Sequence, residues 1–186
     1  MAVVLGSSRK IERFARRFLV PRTVISVYYY LRFGAKVSPR AEVELSSNLV
    51  LGTGCVVSSF TKIKATDGPL ILGARGGIAT GCFISTGEKG IYIKDNFVCG
   101  PNVVITASNY VYEKLDVHLE DQGSTSRGVR IGSNVWIGSN TTVLDGTVIG
   151  DNTIVVANSL LNRRYPPNAI LQGAPAKVIM RRDRQE

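Results

Sequence analysis

The chain has 186 residues, of which 44% are hydrophobic and 20% charged, a composition typical of one globular domain. Its net charge of +9 is concentrated at the ends: residues 1–40 carry a net +8, residues 41–154 a net −3 and the remainder a net +4. The body therefore lacks the basic stripe of a nucleic-acid-binding protein, and no segment reaches the ~20 apolar residues that span a membrane.

The cysteines predict a reducing compartment. Cys55, Cys82 and Cys99 are odd in number and widely spaced, which fits neither a disulfide framework nor a paired metal site, so we interpret them as buried thiols. The opening residues are not expected to form a signal peptide, because their apolar run is short. We therefore expect a cytoplasmic protein without a bound metal, and the basic N-terminal end is compatible with a position at the inner face of the membrane.

Residues 1–33 are predicted to form a basic helical segment. Residues 9–20, RKIERFARRFLV, have apolar residues at helical spacing, and Pro21 ends the pattern. Residues 23–33 suggest a second helix, although β-branched residues and tyrosines weaken that prediction. We interpret the helices as a cap over one end of the body; the alternative is contact of residues 9–33 with an anionic membrane surface.

Residues 34–174 follow a period of six residues. An apolar residue recurs at the first place of each hexad, a small or β-branched residue at the fifth, and Asn or Gly often fills the fourth. A helix buries residues three or four apart and a flat strand every second one, so neither explains this period. A triangular all-β solenoid does, because each hexad forms one short strand and one turn, and three hexads close a coil. The residues predicted to point inward are Val37, Val43, Leu49, Leu51, Val57, Ile63, Leu72, Ile78, Ile84, Ile93, Cys99, Ile105, Ile131, Ile137, Val143, Ile149, Val155 and Leu161.

Three insertions interrupt the period. Those at 65–69 and 86–90 are short and are predicted to be corner loops, whereas the insertion at 106–130 is long and polar and holds the only histidine, His118. A long loop that leaves a rigid scaffold commonly carries function, so we place the candidate site there. After the body, residues 175–186 are predicted to form a short basic C-terminal helix.

The repeats, the long loop and the C-terminal segment together resemble the hexapeptide-repeat acyltransferases, closest to the maltose and galactoside O-acetyltransferases and the surface-polysaccharide O-acetyltransferases. The matching text is ITASN at 105–109, DQGSTSRGVRIGSNVWIGSN at 121–140 and YPPNAILQGAPAKVI at 165–179. The resemblance implies a left-handed parallel β-helix and a homotrimer with its active site between subunits. It also implies acetyl transfer from acetyl-CoA to a sugar hydroxyl, in polysaccharide or glycoconjugate synthesis.

The resemblance also locates the catalytic base, and here the chain departs from the family. In the family a histidine that follows an asparagine on the loop removes the proton of the acceptor hydroxyl, but here Asn109 is followed by Tyr110. An imidazole titrates near ~6.5 and accepts a proton at pH 7, whereas a phenol titrates near ~10 and donates one. Three explanations are open. His118 supplies the base; Asp116, Glu120 or Tyr110 itself does; or the chain is a weak or inactive trimeric protein that binds CoA or acts as a scaffold.

The resemblance further implies a groove for acetyl-CoA and a contact for the acceptor. Asn102 stands where the family has an acceptor-site asparagine, although a hexad turn favours Asn as well. Trp136 follows the family's VWIG pattern, with ordinary packing as the alternative. Lys177 and Arg181 are expected near the nucleotide phosphates, with solvated surface as the alternative. The cofactor-binding residues implied are Trp136, Gly138, Ser139, Ala157, Asn158, Asn162, Arg163, Lys177 and Arg181.

Other enzymes built on a hexapeptide solenoid are disfavoured. A γ-class carbonic anhydrase needs three histidines for zinc, and this chain has one. Sugar nucleotidyltransferases carry an additional nucleotide-binding domain, for which the chain is too short. Serine acetyltransferases carry a large helical domain, for which the N-terminal segment is too short.

Overall fold

The structure, a computed structural model, describes residues 20–182, which form one helix and a parallel β-solenoid of about six coils. Each coil passes through three sheets, called A, B and C here. Sheet A contains β1 (Lys36–Val37), β4 (Val56–Val57), β7 (Gly77–Ile78), β10 (Val98–Cys99), β15 (Trp136–Ile137), β18 (Ile154–Val155), β21 (Ala169–Gly173) and β22 (Ala176–Arg181). Sheet B contains β2 (Glu42–Val43), β5 (Lys62–Lys64), β8 (Phe83–Ser85), β11 (Val104–Thr106), β16 (Thr142–Val143) and β19 (Leu160–Leu161). Sheet C contains β3 (Leu49–Leu51), β6 (Leu70–Leu72), β9 (Ile91–Ile93), β14 (Val129–Ile131), β17 (Val148–Ile149) and β20 (Arg164–Tyr165).

The strands of successive coils pair in parallel, so the coils stack along one axis. The turns between sheets form three corners. The AB corner consists of 38–41, 58–61, 79–82, 100–103, 138–141 and 156–159. The BC corner consists of 44–48, 65–69, 86–90, 107–128, 144–147 and 162–163, and the CA corner of 52–55, 73–76, 94–97, 132–135, 150–153 and 166–168. This architecture confirms the predicted solenoid and is consistent with a left-handed parallel β-helix.

The core is the row of inward residues that the six-residue period predicted. All eighteen are buried, from Val37, which is 6% exposed, to Ile137, which is fully buried. Burying one such aliphatic side chain stabilises the fold by roughly 1.5–3 kcal/mol. The fifth hexad place is also inside, and its hydroxyls bond to backbone: Thr147 Oγ1, for example, donates to the carbonyl of Leu161 at 3.0 Å. Small residues are needed there because the chain turns tightly at each corner.

The turns explain the asparagines and glycines of the hexads. Asn134, Asn140, Asn152 and Asn158 all adopt the left-handed conformation, with φ between 55° and 59°. Asparagine tolerates this region better than other residues with a side chain. Gly138 is needed for another reason, because a Cβ there would lie 2.5 Å from the backbone N of the next coil.

One end of the solenoid is covered by helix α1 (Arg22–Phe33). Ile25 and Tyr29 are buried, and the Tyr29 hydroxyl donates to the Glu44 carbonyl at 2.8 Å. Burial raises the pKa of Tyr29 above that of an ordinary phenol. The structure thus contains a helix over this end, as predicted, whereas residues 9–19 of the helix predicted at 9–20 lie outside the described residues. In the part described, no helix is long and apolar enough to cross a membrane.

The other end differs from the prediction. Residues from 175 onward were expected to form a short helix, but β22 is a strand that pairs antiparallel with β21. The chain reverses after Gly173, which has a φ of 107°, and β22 covers the backbone groups that β21 would otherwise expose at the edge of sheet A. The prediction of a helix is wrong here because unpaired strand hydrogen-bonding groups are costly, and β22 satisfies those of β21.

The three cysteines are free and buried, as predicted. Cys99 Sγ lies 3.8 Å from Cys82 Sγ. The hydrogen bond with Cys82, together with burial, raises the pKa of Cys99, so this thiol stays neutral. Burial likewise raises the pKa of Cys55. Cys55 and Cys99 are therefore packing residues rather than nucleophiles.

Candidate functional site

The predicted insertions lie at the same corner. The segments 65–69, 86–90 and 107–128 are the BC turns of three consecutive coils, so they stack on one another. Ser126 links the last two of these segments: its Oγ donates to the Ala107 carbonyl at 2.6 Å and accepts from the Lys89 backbone N–H at 3.1 Å. The long loop is therefore anchored to the insertion that precedes it.

The loop has its own internal structure. It contains an antiparallel hairpin of β12 (Asn109–Tyr110) and β13 (Ser124–Thr125), and a 3-10 helix at Leu119–Gln122. Gln122 holds the outer part together, because its Oε1 accepts from Lys114 N at 3.0 Å and its Nε2 donates to the Lys114 carbonyl at 2.7 Å. The polar sequence thus forms an ordered excursion from the solenoid.

Asp145 holds the base of the loop. Its Oδ1 accepts from the backbone N–H of Arg127 at 2.9 Å and of Gly128 at 2.8 Å. Its Oδ2 accepts from Asn109 Nδ2 at 3.4 Å and lies 3.6 Å from Arg127 Nε. Asp145 is not among the residues predicted for the site, because an aspartate at a hexad turn is ordinary and nothing in the sequence distinguishes it.

A cleft of about 600 Å³ opens beside the hairpin. Its walls carry the exposed rings of Tyr110 and Tyr112, which are 58% and 70% exposed. The residues that line it are Asn109, Tyr110, Val111, Tyr112, Glu113, Leu119, Thr125 and Arg127. The predicted catalytic pair, Asn109 and Tyr110, therefore lies at this cleft, with Asn109 anchored to Asp145.

The other candidates for the base lie further out on the loop. His118 is exposed and precedes the 3-10 helix, where its carbonyl accepts from the Asp121 backbone N–H at 3.0 Å. Asp116 and Glu120 are exposed as well. Within residues 20–182, none of these three is among the residues that line the cleft.

The residues expected to bind acetyl-CoA fall into two groups, and the first lies at the AB corner. Gly138 and Ser139 occupy one coil, and Ala157 and Asn158 occupy the next, where Asn158 N donates to the Ser139 carbonyl at 2.9 Å. Trp136 points outward from β15 beside this corner and is 54% exposed, so it does not belong to the core. The residues at this corner offer backbone polar groups and an exposed indole to a ligand.

Asn102 also lies at the AB corner, one coil before Ser139. Its Nδ2 donates to Asn140 Oδ1 at 3.2 Å, and its φ is 58°. Its conformation and its bond are those of a hexad turn residue.

The second group lies at the end of the solenoid. Asn162 and Arg163 form the last BC turn, and Arg163 Nη2 donates to the Ala176 carbonyl at 2.6 Å at the start of β22. Lys177 is exposed on β22, and Arg181 is half-buried at the other end of the same strand. Arg163 and Lys177 are therefore close together, whereas Arg181 lies apart from them.

In a single chain, the cleft lies at the BC corner. The cleft and the AB corner are therefore at opposite ends of the strands of sheet B. These two regions offer different chemical groups. The loop beside the cleft carries phenol, amide and guanidinium groups, and the AB corner carries exposed backbone amides and an indole. Among the described residues, no group of three or more His, Cys, Asp or Glu side chains is arranged to hold a metal ion.

Comparison with known proteins agrees with this architecture. Residues 128–163 match the family model of the bacterial transferase hexapeptide (six repeats), which confirms the predicted repeat and the resemblance based on it. No curated protein sequence matches the chain.

Solved structures share the fold at low identity. AntD, an N-acyltransferase from Bacillus cereus in complex with dTDP and 3-hydroxybutyryl-CoA, is 18% identical with a TM-score of 0.72, over 84% of this chain and 87% of that one. The polySia-specific acetyltransferase NeuO is 22% identical with a TM-score of 0.62, over 72% and 61%. A maltose O-acetyltransferase from Clostridium difficile 630 is 24% identical with a TM-score of 0.50, over 83% and 73%.

Proposed function

We propose that this chain transfers an acyl group, with acetyl as the expected one, from a CoA thioester to a hydroxyl group of a sugar. The fold it shares with three solved acyltransferases supports the proposal, and one of those proteins was solved with both a nucleotide and an acyl-CoA. The loop and tail motifs that resemble O-acetyltransferases support the hydroxyl as acceptor.

The observation that carries the proposal is the cleft beside the hairpin. A volume of about 600 Å³ lies within the range of small-molecule sites. Tyr110 and Tyr112 are two residues apart on an extended segment, so their side chains leave the same face. Two phenol rings offer apolar faces and polar hydroxyls, a combination that suits a sugar ring.

Tyr110 occupies the position of the family's catalytic histidine. We assign it a donor role: its hydroxyl would bind the acceptor sugar or the thioester oxygen, and turnover would depend on positioning and on backbone amides. The proton of the acceptor hydroxyl must still leave, and His118 or a carboxylate of the loop is the candidate acceptor for it.

A homotrimer would bring the two halves of the site together. The cleft and the AB corner lie at different corners of one chain, and side-by-side packing of copies would place the loop of one against the corner of another. An exposed apolar row on sheet A, formed by Val56, Val98, Trp136 and Met180, offers a surface for such packing or for the pantetheine arm of CoA.

Two measurements test the proposed activity. Thermal unfolding with CoA tests binding, and release of free CoA from acetyl-CoA with a panel of sugars tests transfer. We expect stabilisation of several degrees at saturating CoA and sugar-dependent release. Binding without release from any sugar would favour the non-catalytic CoA-binding alternative, and the absence of both would rule out the transferase.

Substitutions in the loop identify the base. If the histidine position is otherwise intact, Tyr110→His should raise kcat by about 10- to 1000-fold. His118→Ala should lower kcat by a similar factor only if His118 accepts the proton. Tyr110→Phe is the matched control, because it keeps the ring and removes the hydroxyl, and unchanged kinetics in it would contradict the donor role. Sedimentation tests the trimer by comparing the wild type with Trp136→Glu, which places a charge in the exposed apolar row of sheet A.

A further inference from the structure

Asp145 is the one carboxylate that is buried in the part of the chain described, and its side chain is fully shielded from solvent. Burying a charged carboxylate is unfavourable unless donors surround it. Here the donors are the two backbone N–H groups of Arg127 and Gly128, the amide of Asn109 and the guanidinium of Arg127. All of them belong to the loop or its exit.

The aspartates of the CA corner show what a turn alone requires. Asp95 Oδ1 accepts from the Ala74 backbone N–H at 2.7 Å, and Asp151 Oδ1 from that of Ser133 at 2.8 Å. Both remain at least partly exposed to solvent. Asp145 makes the same kind of bond to the preceding coil. Asp151 adds one exposed ion pair, with Lys94 Nζ at 3.5 Å, whereas Asp145 contacts two side chains, and both belong to residues that line the cleft. Its contacts therefore exceed those of a turn residue.

We propose that Asp145 is a positioning residue for acyl transfer. It fixes Asn109 at the entry of the loop and Arg127 at its exit, so the hairpin that carries Tyr110 keeps one orientation over the cleft. This role rests on the proposed transferase function. Asp145 does not reach the reacting atoms itself, because it is enclosed beneath the loop.

Asp145→Asn separates this role from folding. The amide keeps the size of the carboxylate, and its single carbonyl oxygen can still accept from the backbone N–H groups of Arg127 and Gly128. Its NH₂ group would replace Oδ2, where it faces the donors of Asn109 and Arg127. Asp95→Asn is the matched control, because it makes the same change in a corner aspartate far from the loop. Asn109→Ala removes one side-chain link and serves if Asp145→Asn does not fold.

Two readouts are needed, amide hydrogen exchange of residues 107–128 and the kinetics of acyl transfer. In Asp145→Asn we expect exchange in the loop to be about tenfold faster. We also expect kcat to fall about 10- to 100-fold, because a displacement near 1 Å is costly in a preorganised site. KM for acetyl-CoA should stay within about twofold, and Asp95→Asn should match the wild type in both readouts.

The outcomes distinguish the two proposals. Unchanged exchange in Asp145→Asn would show that Asp145 does not hold the loop, and faster exchange with an unchanged kcat would show that its role is structural only. Either result overturns the inference. A wild type that transfers no acyl group overturns the proposed function instead, and the exchange rates then still decide whether Asp145 fixes the loop.

Discussion

At the CA corner the described coils turn within three or four residues, and the side chains of successive coils bond to one another. Asn134 Nδ2 donates to Asn152 Oδ1 at 2.9 Å, and Asn152 Nδ2 to Asn168 Oδ1 at 3.1 Å. At the BC corner three coils in a row carry insertions. Ser126 bonds the second insertion to the third, and the buried Asp145 bonds the third to the following coil. The short turns of the CA corner thus connect successive coils, whereas the insertions of the BC corner add a separate surface outside the solenoid.

The largest effect on stability is expected from a substitution in the core of the solenoid. If the insertions are additions to a self-sufficient solenoid, Ile137→Ala should lower the free energy of unfolding by about 2–5 kcal/mol, because Ile137 is fully buried. Leu119→Ala in the loop should change it by less than ~0.5 kcal/mol. Chemical denaturation measures both, and comparable losses would show that the loop is part of the core.

An intermediate effect is expected at the CA corner. Asn152→Ala removes two side-chain hydrogen bonds and places alanine at a φ of 57°, so it should cost about 1–2 kcal/mol. Asn162→Ala is the matched change at the BC corner, where the residue has no positive φ, and it should cost less than ~0.5 kcal/mol. Equal costs, measured by thermal unfolding, would remove the distinction between the corners.

The smallest effect is expected at the N-terminal cap, a third region that departs from the repeat. Tyr29→Phe loses the bond to Glu44 and should cost about 1 kcal/mol near pH 8. Because the pKa of Tyr29 is raised in the folded state, its stabilising contribution is complete below the ordinary phenol pKa of ~10 and is lost as pH rises beyond it. The difference between wild type and variant should therefore shrink above about pH 10. A constant difference across this range would contradict the burial of the phenol.

The repeat could be predicted because a period of six has one physical solution. Every residue assigned inward by that period is buried, and the fourth-place residues from Asn134 to Asn158 have positive φ. The period also located the insertions, since each one shifts the phase. The local sequence was sufficient to predict the repeat because each hexad contacts only its neighbours in the stack.

The other features of the fold and of the site depend on contacts between residues distant in sequence, which the local sequence does not reveal. Asp145 resembles Asp151 in the sequence, and only the folded loop above it makes the two different. The strand β22 could not be predicted from its residues alone, because its conformation is set by the open edge of β21. The hairpin of the loop likewise depends on pairing between Tyr110 and Ser124, fourteen residues apart.

The strand β22 has a consequence for assembly. A parallel solenoid offers its last coil as a template, and any chain with matching strands can add to it without limit. Here the antiparallel return of β22 along sheet A ends the parallel order at that edge, and helix α1 lies over the opposite end. Growth along the axis is therefore blocked at sheet A by the chain itself. Contacts between copies are then left to the side faces, where they give a finite ring only if the rotation between copies closes.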